Sequence, residues 1–225
     1  MTTPARAIPP TSSRSEPSTT EAPVKPSTDR NTPVPPATSD RTTKARPPAD
    51  PVTVSVRAVA PGTPVDLNRP PLTDWLAVGT RNDLKQVRAK AGSGDLGLEQ
   101  PSSATSVPGP FRVSWTDGLP EQNHDDALDW LQAAAEPGLT VTLTAAGKPR
   151  TVVLYAGTQH LHGTLTTTGP GLATTKTSFP TADPGPAGWL ITLSLPPTSS
   201  PTHLHLSGAP DGPKPTVQLA AVTVG

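Results

Sequence analysis

From residue 52 onward, apolar and polar side chains alternate. Val52, Val54, Val56 and Ala58 are separated by Thr53, Ser55 and Arg57. Successive side chains on a strand point to opposite faces, so this period of two predicts a strand with one buried face. Similar alternation or short apolar runs predict further strands at Asp74–Gly79, Leu84–Lys90, Phe111–Trp115, Leu128–Gln132, Leu139–Thr144, Thr151–Ala156, Thr164–Thr168, Trp189–Leu195, His203–Ser207 and Val217–Val224. Turn dipeptides punctuate them, among them Pro61-Gly62, Asp117-Gly118, Pro137-Gly138 and Asp211-Gly212. Short strands with a turn about every ten residues predict an all-β fold, an antiparallel jelly-roll-like β-sandwich. One stretch reads two ways. Asp125–Glu136 contains Ala133-Ala134-Ala135 and suits a helical turn as well as a strand.

The first fifty residues show no such pattern. They hold 11 Pro, 10 Thr and 6 Ser and no aromatic residue, and their large aliphatics, Ile8, Val24 and Val34, stand too far apart to form a face. Such a segment buries too little apolar surface to offset its ordering entropy. Residues 1–50 are therefore predicted to be a disordered Pro/Thr/Ser-rich stalk or linker, and residues 51–225 the β-sandwich domain. Fully extended as polyproline II, the stalk would reach roughly 150 Å. Its Ser/Thr-Pro sites suit O-glycosylation.

Composition sharpens this division. The chain of 225 residues has 32 Pro but only 4 Trp, 2 Phe and 1 Tyr. All of these aromatics follow residue 51, so the core is expected there. Eighteen basic residues balance eighteen acidic ones. A chain without net charge lacks the electrostatic footprint that a phosphate backbone requires, so nucleic acid is not an expected partner. No apolar run approaches the length of a bilayer-spanning helix. The absence of cysteine excludes disulfides, thiolate metal sites and cysteine nucleophiles.

Several local patterns carry a resemblance. VDLNRPPLTDWLAVG includes the dipeptide Asp74-Trp75, FRVSWTDG includes Ser114 to Gly118, and a later strand runs from Arg150 to Gly157. In this order they resemble a galactose-binding-like β-sandwich domain of secreted or membrane-anchored proteins of high-GC bacteria, over roughly Val65 to Val224. Where that family often has Asn-Gly-Phe, this chain has Pro137-Gly138-Leu139. The resemblance implies a sandwich fold and an extracellular or cell-envelope location. It brings no catalytic residue with it.

Three groups of residues have the types and spacing that chemistry needs, and each also has a plain structural role. His160-x-His162 and His203-x-His205 would each present two imidazoles on one strand face, and on neighbouring strands four nitrogens would suit zinc or copper. The intervening Leu161 and Leu204, with Leu206, mark the buried face, which sends the histidines to solvent, so no metal site is assigned. Asp125, Asp126 and Asp129, with Asp117 and Glu121, form the densest acidic group; calcium ligation or hydrolysis is weighed there against solvated loop residues. Trp75 and Trp115 sit in strand motifs and are expected in the core. Trp130 follows a polar loop and Trp189 follows Pro186-Ala187-Gly188, so these two are the candidate ligand-binding residues, partly exposed platforms for a sugar ring. No G-x-S-x-G elbow and no phosphate-binding glycine loop is present.

These observations predict a monomeric, non-catalytic binding or display domain at the cell envelope, without a cofactor, whose partner is a carbohydrate or a cell-surface protein. The alternatives are a structural or regulatory ectodomain with a protein partner and a hydrolase accessory module. The segment MTTPARAIPPTSSRSEPSTT has no apolar h-region. An envelope location therefore carries the expectation that residues upstream of Met1 supply a leader or a membrane anchor.

Overall fold

The computed structural model describes residues 51–69, 72–80, 83–180 and 187–225. The expected stalk, residues 1–50, lies outside them. The described residues all belong to one compact unit.

The described residues form fifteen strands and no helix. In chain order they are β1 (Thr53–Val59), β2 (Pro64–Asp66), β3 (Asp74–Thr80), β4 (Asp83–Ala89) and β5 (Leu96–Glu99). Then come β6 (Thr105–Trp115), β7 (Gly118–Leu119), β8 (His124–Ala134), β9 (Leu139–Leu143) and β10 (Arg150–Gln159). The last five are β11 (Leu161–Thr168), β12 (Thr175–Phe179), β13 (Ala187–Leu195), β14 (Thr202–Pro210) and β15 (Thr216–Val224). The Asp125–Glu136 ambiguity resolves as strand up to Ala134, where β8 is held by β6 on one side and β15 on the other, and as a turn at Ala135-Glu136.

Two sheets pack face to face. The larger has the path β1-β13-β10-β15-β3-β4-β7, with β8, β6 and β2 branching from β15; the smaller has the order β12-β11-β14-β9-β5. From β9 to β15 the chain switches sheet at every connection except the β11–β12 hairpin. That is the jelly-roll-like sandwich the alternation implied. One pairing departs from the antiparallel expectation: β2 runs parallel to β6.

The core between the sheets is aliphatic. Leu139, Val141, Leu143, Leu161, Leu165, Leu204 and Leu206 of the small sheet meet Val152, Leu154, Ile191, Leu193 and Leu219 of the large one. A second buried cluster lies around Trp75, Phe111, Val113, Trp115, Trp130 and Ala220-Ala221. Strand β15 passes between the two and is buried on nearly its whole length. Its pairing to β10 shifts register beyond Tyr155↔Ala221, so that Ala156 faces Leu219 and Ala220 is left as a bulge. The bulge changes the parity of the strand. Val217 and Leu219 before it, and Val222 and Val224 after it, then all reach the same inter-sheet core.

Aromatic rings close the gaps where the backbone is bare. A Cβ on Gly163 would lie 1.9 Å from the Phe179 ring, and one on Gly109 would lie 2.1 Å from the Trp130 indole. Glycine at these strand positions admits the ring, which is the meaning of an isolated glycine inside a strand pattern.

Candidate functional site

The motif residues Asp74-Trp75 and Ser114–Gly118 lie far apart in sequence but meet at one cleft. It has a volume of about 310 Å³ and is lined by Leu67, Asn68, Trp75, Lys90, Gly92 and Asp117, among others. Three connections build it: the turn after β2, the turn between β4 and β5, and the turn between β6 and β7.

Local chemistry fixes each connection. The Asn68 N–H and its Nδ2 both donate to Asp66 Oδ1, at 2.9 and 3.0 Å. Asn68 Oδ1 in turn accepts the Thr116 N–H at 3.1 Å, tying the first turn to the third. Lys90 N–H donates to the Asp117 carbonyl at 2.7 Å, tying the second to the third. Asp117 itself has φ 58°, a left-handed conformation that Asp and Asn tolerate better than most residues.

Asp74 organises the β4–β5 loop from below. Its Oδ1 accepts the Trp75 N–H and its Oδ2 the Asp95 N–H, both at 2.9 Å. The loop closes so tightly over this carboxylate that a Cβ on Gly92 would sit 2.2 Å from Asp74 Oδ1. Asp95 extends the network. Hydrogen bonds from the Ser93 and Thr144 hydroxyls, each 2.6 Å long, hold its carboxyl below the usual range, with Arg150 adding to the effect against partial burial. Arg150 is buried, donates Nη2 to the Thr144 carbonyl, and is pushed down by desolvation. The floor of the cleft is therefore anchored to both sheets.

Behind the cleft stand Trp75 and Trp115, core residues as expected, with ring centroids 6.1 Å apart. Trp115 stacks on His124 at 5.1 Å and donates Nε1–H to the Glu121 carbonyl. His124 Nδ1 lies 2.8 Å from Glu121 Oε1. Trp75 borders the cleft and is itself buried.

The two candidate platforms are a correction. Trp130 is fully buried and Trp189 is 7% exposed. Trp130 packs edge-on to Phe111, with centroids 4.4 Å apart, and its Nε1–H donates to the Phe111 carbonyl at 3.1 Å. Trp189 Nε1–H donates to Thr158 Oγ1 at 3.0 Å, and its ring lies 5.8 Å from that of Phe179. Neither presents a face to a sugar. The flanking polar and small residues suggested exposure, but the surfaces that cover these indoles come from distant strands. The available signal was glycine, since Gly109 and Gly157 both border the Trp130 ring.

The acidic group also sits differently. Asp125, Asp126 and Asp129 lie on β8, not in a loop, and Asp126 pairs with Arg112 at 2.7 Å. The histidine-bearing strands β11 and β14 are neighbours, yet their register sets His162 opposite Ala209, whereas His203 and His205 face Thr168 and Thr166. The two pairs thus occupy opposite ends of the sheet, and four nitrogens do not converge. Among the described residues no cluster of three or more His, Asp or Glu is placed to hold a metal ion. Asn68 and Lys90, which line the cleft, were missed in the sequence because nothing marks a turn residue as lining before its partners are known.

No family model and no curated protein sequence matches the chain. Among solved structures it is similar to the K3 cleaved adhesin domain of Lys-gingipain from Porphyromonas gingivalis W83, at 11% identity and a TM-score of 0.34, over 55% of this chain and 92% of that one. It is also similar to the enzymatically active domain of tailspike protein 4 of bacteriophage CBA120, at 12% identity and a TM-score of 0.29, over 77% of this chain and 19% of that one. With scores this low, neither likeness bears on function.

Proposed function

We propose that the protein is a non-catalytic binding or display domain working outside the cytoplasm at the cell envelope, and that the cleft beside Trp75 is its ligand site, with carbohydrate as the ligand class. The observation that carries the reading is the make-up of this cleft. Half-buried Leu72 and Ala89 supply apolar surface above the buried Leu67 and Trp75, and Asn68, Lys90, Thr116 and Asp117 supply polar groups around it. A volume of about 310 Å³ is at the small end of ligand sites and suits one or two sugar rings. Mixed apolar and hydrogen-bonding walls match a pyranose, which has an apolar face and a rim of hydroxyls.

Two further points support it. Both Asp74 oxygens are engaged by backbone N–H groups, so this carboxylate serves the loop and is not poised as a general base. Leu119, 53% exposed, is the exposed large hydrophobic among the described residues. A single side chain is not the apolar patch by which a protein partner would be recognised.

The test is a glycan-array screen of the full chain, repeated with Lys90→Ala and Asp117→Asn. Binding to a defined glycan that both substitutions weaken at least tenfold supports the reading. An empty array, or binding that neither substitution changes, refutes the assignment of carbohydrate to this cleft. Fractionation of the native host tests the envelope location separately: recovery in the cytosolic fraction refutes it.

A further inference from the structure

The outer face of the small sheet is dense in hydroxyl and imidazole groups. On β9, β14 and β11 the inward positions are apolar or small apart from the buried Thr167 and Thr202, and the outward ones, apart from Ala209, are hydroxyl or imidazole. Thr140 and Thr142 lie on β9, His203, His205 and Ser207 on β14, and Thr164, Thr166 and Thr168 on β11. Leu204 and Leu206, buried between and beyond the histidines, fix which way the strand faces. His203 and His205 are thereby held side by side on a half-exposed surface, in the middle of a five-stranded sheet.

Their hydrogen bonding is repeated. His203 pairs across the sheet with Thr142, and its Nδ1 lies 3.1 Å from Thr142 Oγ1. His205 pairs with Thr140, and its Nδ1 lies 3.0 Å from Thr140 Oγ1. Both rings therefore lean the same way, toward β9. The glycine at 138 makes room for the second, since a Cβ there would come within 3.1 Å of His205 Cε1. In the tautomer whose Nδ1–H donates to the threonine hydroxyl, the Nε2 lone pair is open, and a hydrogen bond at one ring nitrogen is how metal-bound histidines are oriented.

We propose that His203 and His205 form a two-imidazole site for a divalent transition-metal ion of the copper class, with water completing its coordination. Same-face neighbours on a strand stand about 6.6 Å apart. To share one ion with bonds of about 2 Å the two Nε2 atoms must come within about 4 Å, so on binding each ring tilts toward the other along β14 while its Nδ1 stays on its threonine. Tetragonal Cu²⁺ accepts two nitrogens with oxygen ligands from solvent, and it heads the affinity order for such donors. Thr140 and Thr142 are the positioning residues. The site is separate from the cleft and does not depend on the carbohydrate reading.

The experiment is a Cu²⁺ titration of the full chain by calorimetry, with electron paramagnetic resonance to count coordinated nitrogens. One strongly bound ion with hyperfine coupling from two imidazoles is expected. His203→Ala and His205→Ala should each weaken binding at least tenfold, Thr140→Val and Thr142→Val several-fold, and the double change His160→Ala, His162→Ala not at all. All of these residues except His160 lie on the outer face of the sheet; His203→Thr and His205→Thr serve as second variants if an alanine perturbs folding. Unchanged affinity in both His203 and His205 variants, a single-nitrogen spectrum, or loss of binding in the His160/His162 variant would overturn the proposal.

Discussion

Trp130→Ala tests the packing of the second core and the correction of Trp130 from platform to core residue. The side chain is fully buried, rests on Phe111 in a T-shaped contact, and covers the bare backbone at Gly109. Truncating a buried tryptophan to alanine costs about 3–5 kcal/mol through lost transfer energy and the cavity left behind. The substitution also strips the Phe111 carbonyl of its N–H donor, and an unsatisfied buried acceptor costs a further 1–3 kcal/mol or so. The two overlap, so the expected loss is about 4–6 kcal/mol, a large part of the roughly 5–15 kcal/mol that holds a domain together. The assay is urea unfolding of the full chain followed by far-ultraviolet circular dichroism. Trp130→Phe keeps most of the ring and removes the N–H, so a loss of about 1–3 kcal/mol is expected, and this variant remains readable if the alanine protein does not fold. A Trp130→Ala protein destabilised by less than about 1 kcal/mol would refute the reasoning, because no fully buried indole is that dispensable.

Three other outcomes follow from the same structure. Gly163→Ala places a Cβ 1.9 Å from the Phe179 ring and should cost about 1–3 kcal/mol by overpacking; a double-mutant cycle with Phe179→Leu should recover part of that loss, and strict additivity would refute the clash. Asp95 has a folded-state pKa below its unfolded value, so its stabilisation is present above about pH 4 and is lost as the pH falls through the lowered folded value. Asp95→Asn should therefore lower Tm at pH 7, with the gap to the unsubstituted protein closing in acid; a gap that widened there would reverse the sign. Residues 51–225 expressed alone should melt within about 2 °C of the full chain, because residues 1–50 offer no hydrophobic face to bury; loss of cooperative unfolding would show that they contribute to the core.

Much of the fold was written locally. The leucine-out-of-two pattern through His203–Leu206 and the run Leu139–Leu143 gave their strands, their buried faces and the solvent direction of the histidines without any partner being known. Trp115 was placed in the core by its position after Phe111 and Val113. The short strands β2, β5, β7 and β12 escaped detection because two to five residues with weak alternation carry too little periodic signal, and they become strands only through the neighbours that pair with them.

The functional surfaces divide along the same line. Strand periodicity determined which residues share a face, so the pairing of His203 with His205 was legible from their spacing. That Thr142 and Thr140 orient those two rings required the β9–β14 register. The exposure of Trp130 and Trp189 was misjudged from flanking residues because burial is not a local property. An indole is covered or not according to backbone brought to it from far along the chain, here Gly109 and Gly157 over one ring and the Thr158 hydroxyl at the other. The cleft is the clearest case. Its motifs, Asp74-Trp75 and Ser114–Gly118, were visible as isolated words, but a concave surface exists only once three turns are drawn together, and long-range hydrogen bonds such as Thr116 to Asn68 and Asp95 to Asp74 do that. Periodicity acts between neighbours and survives in the sequence; concavity depends on sequence-distant contacts, which only the folded chain supplies.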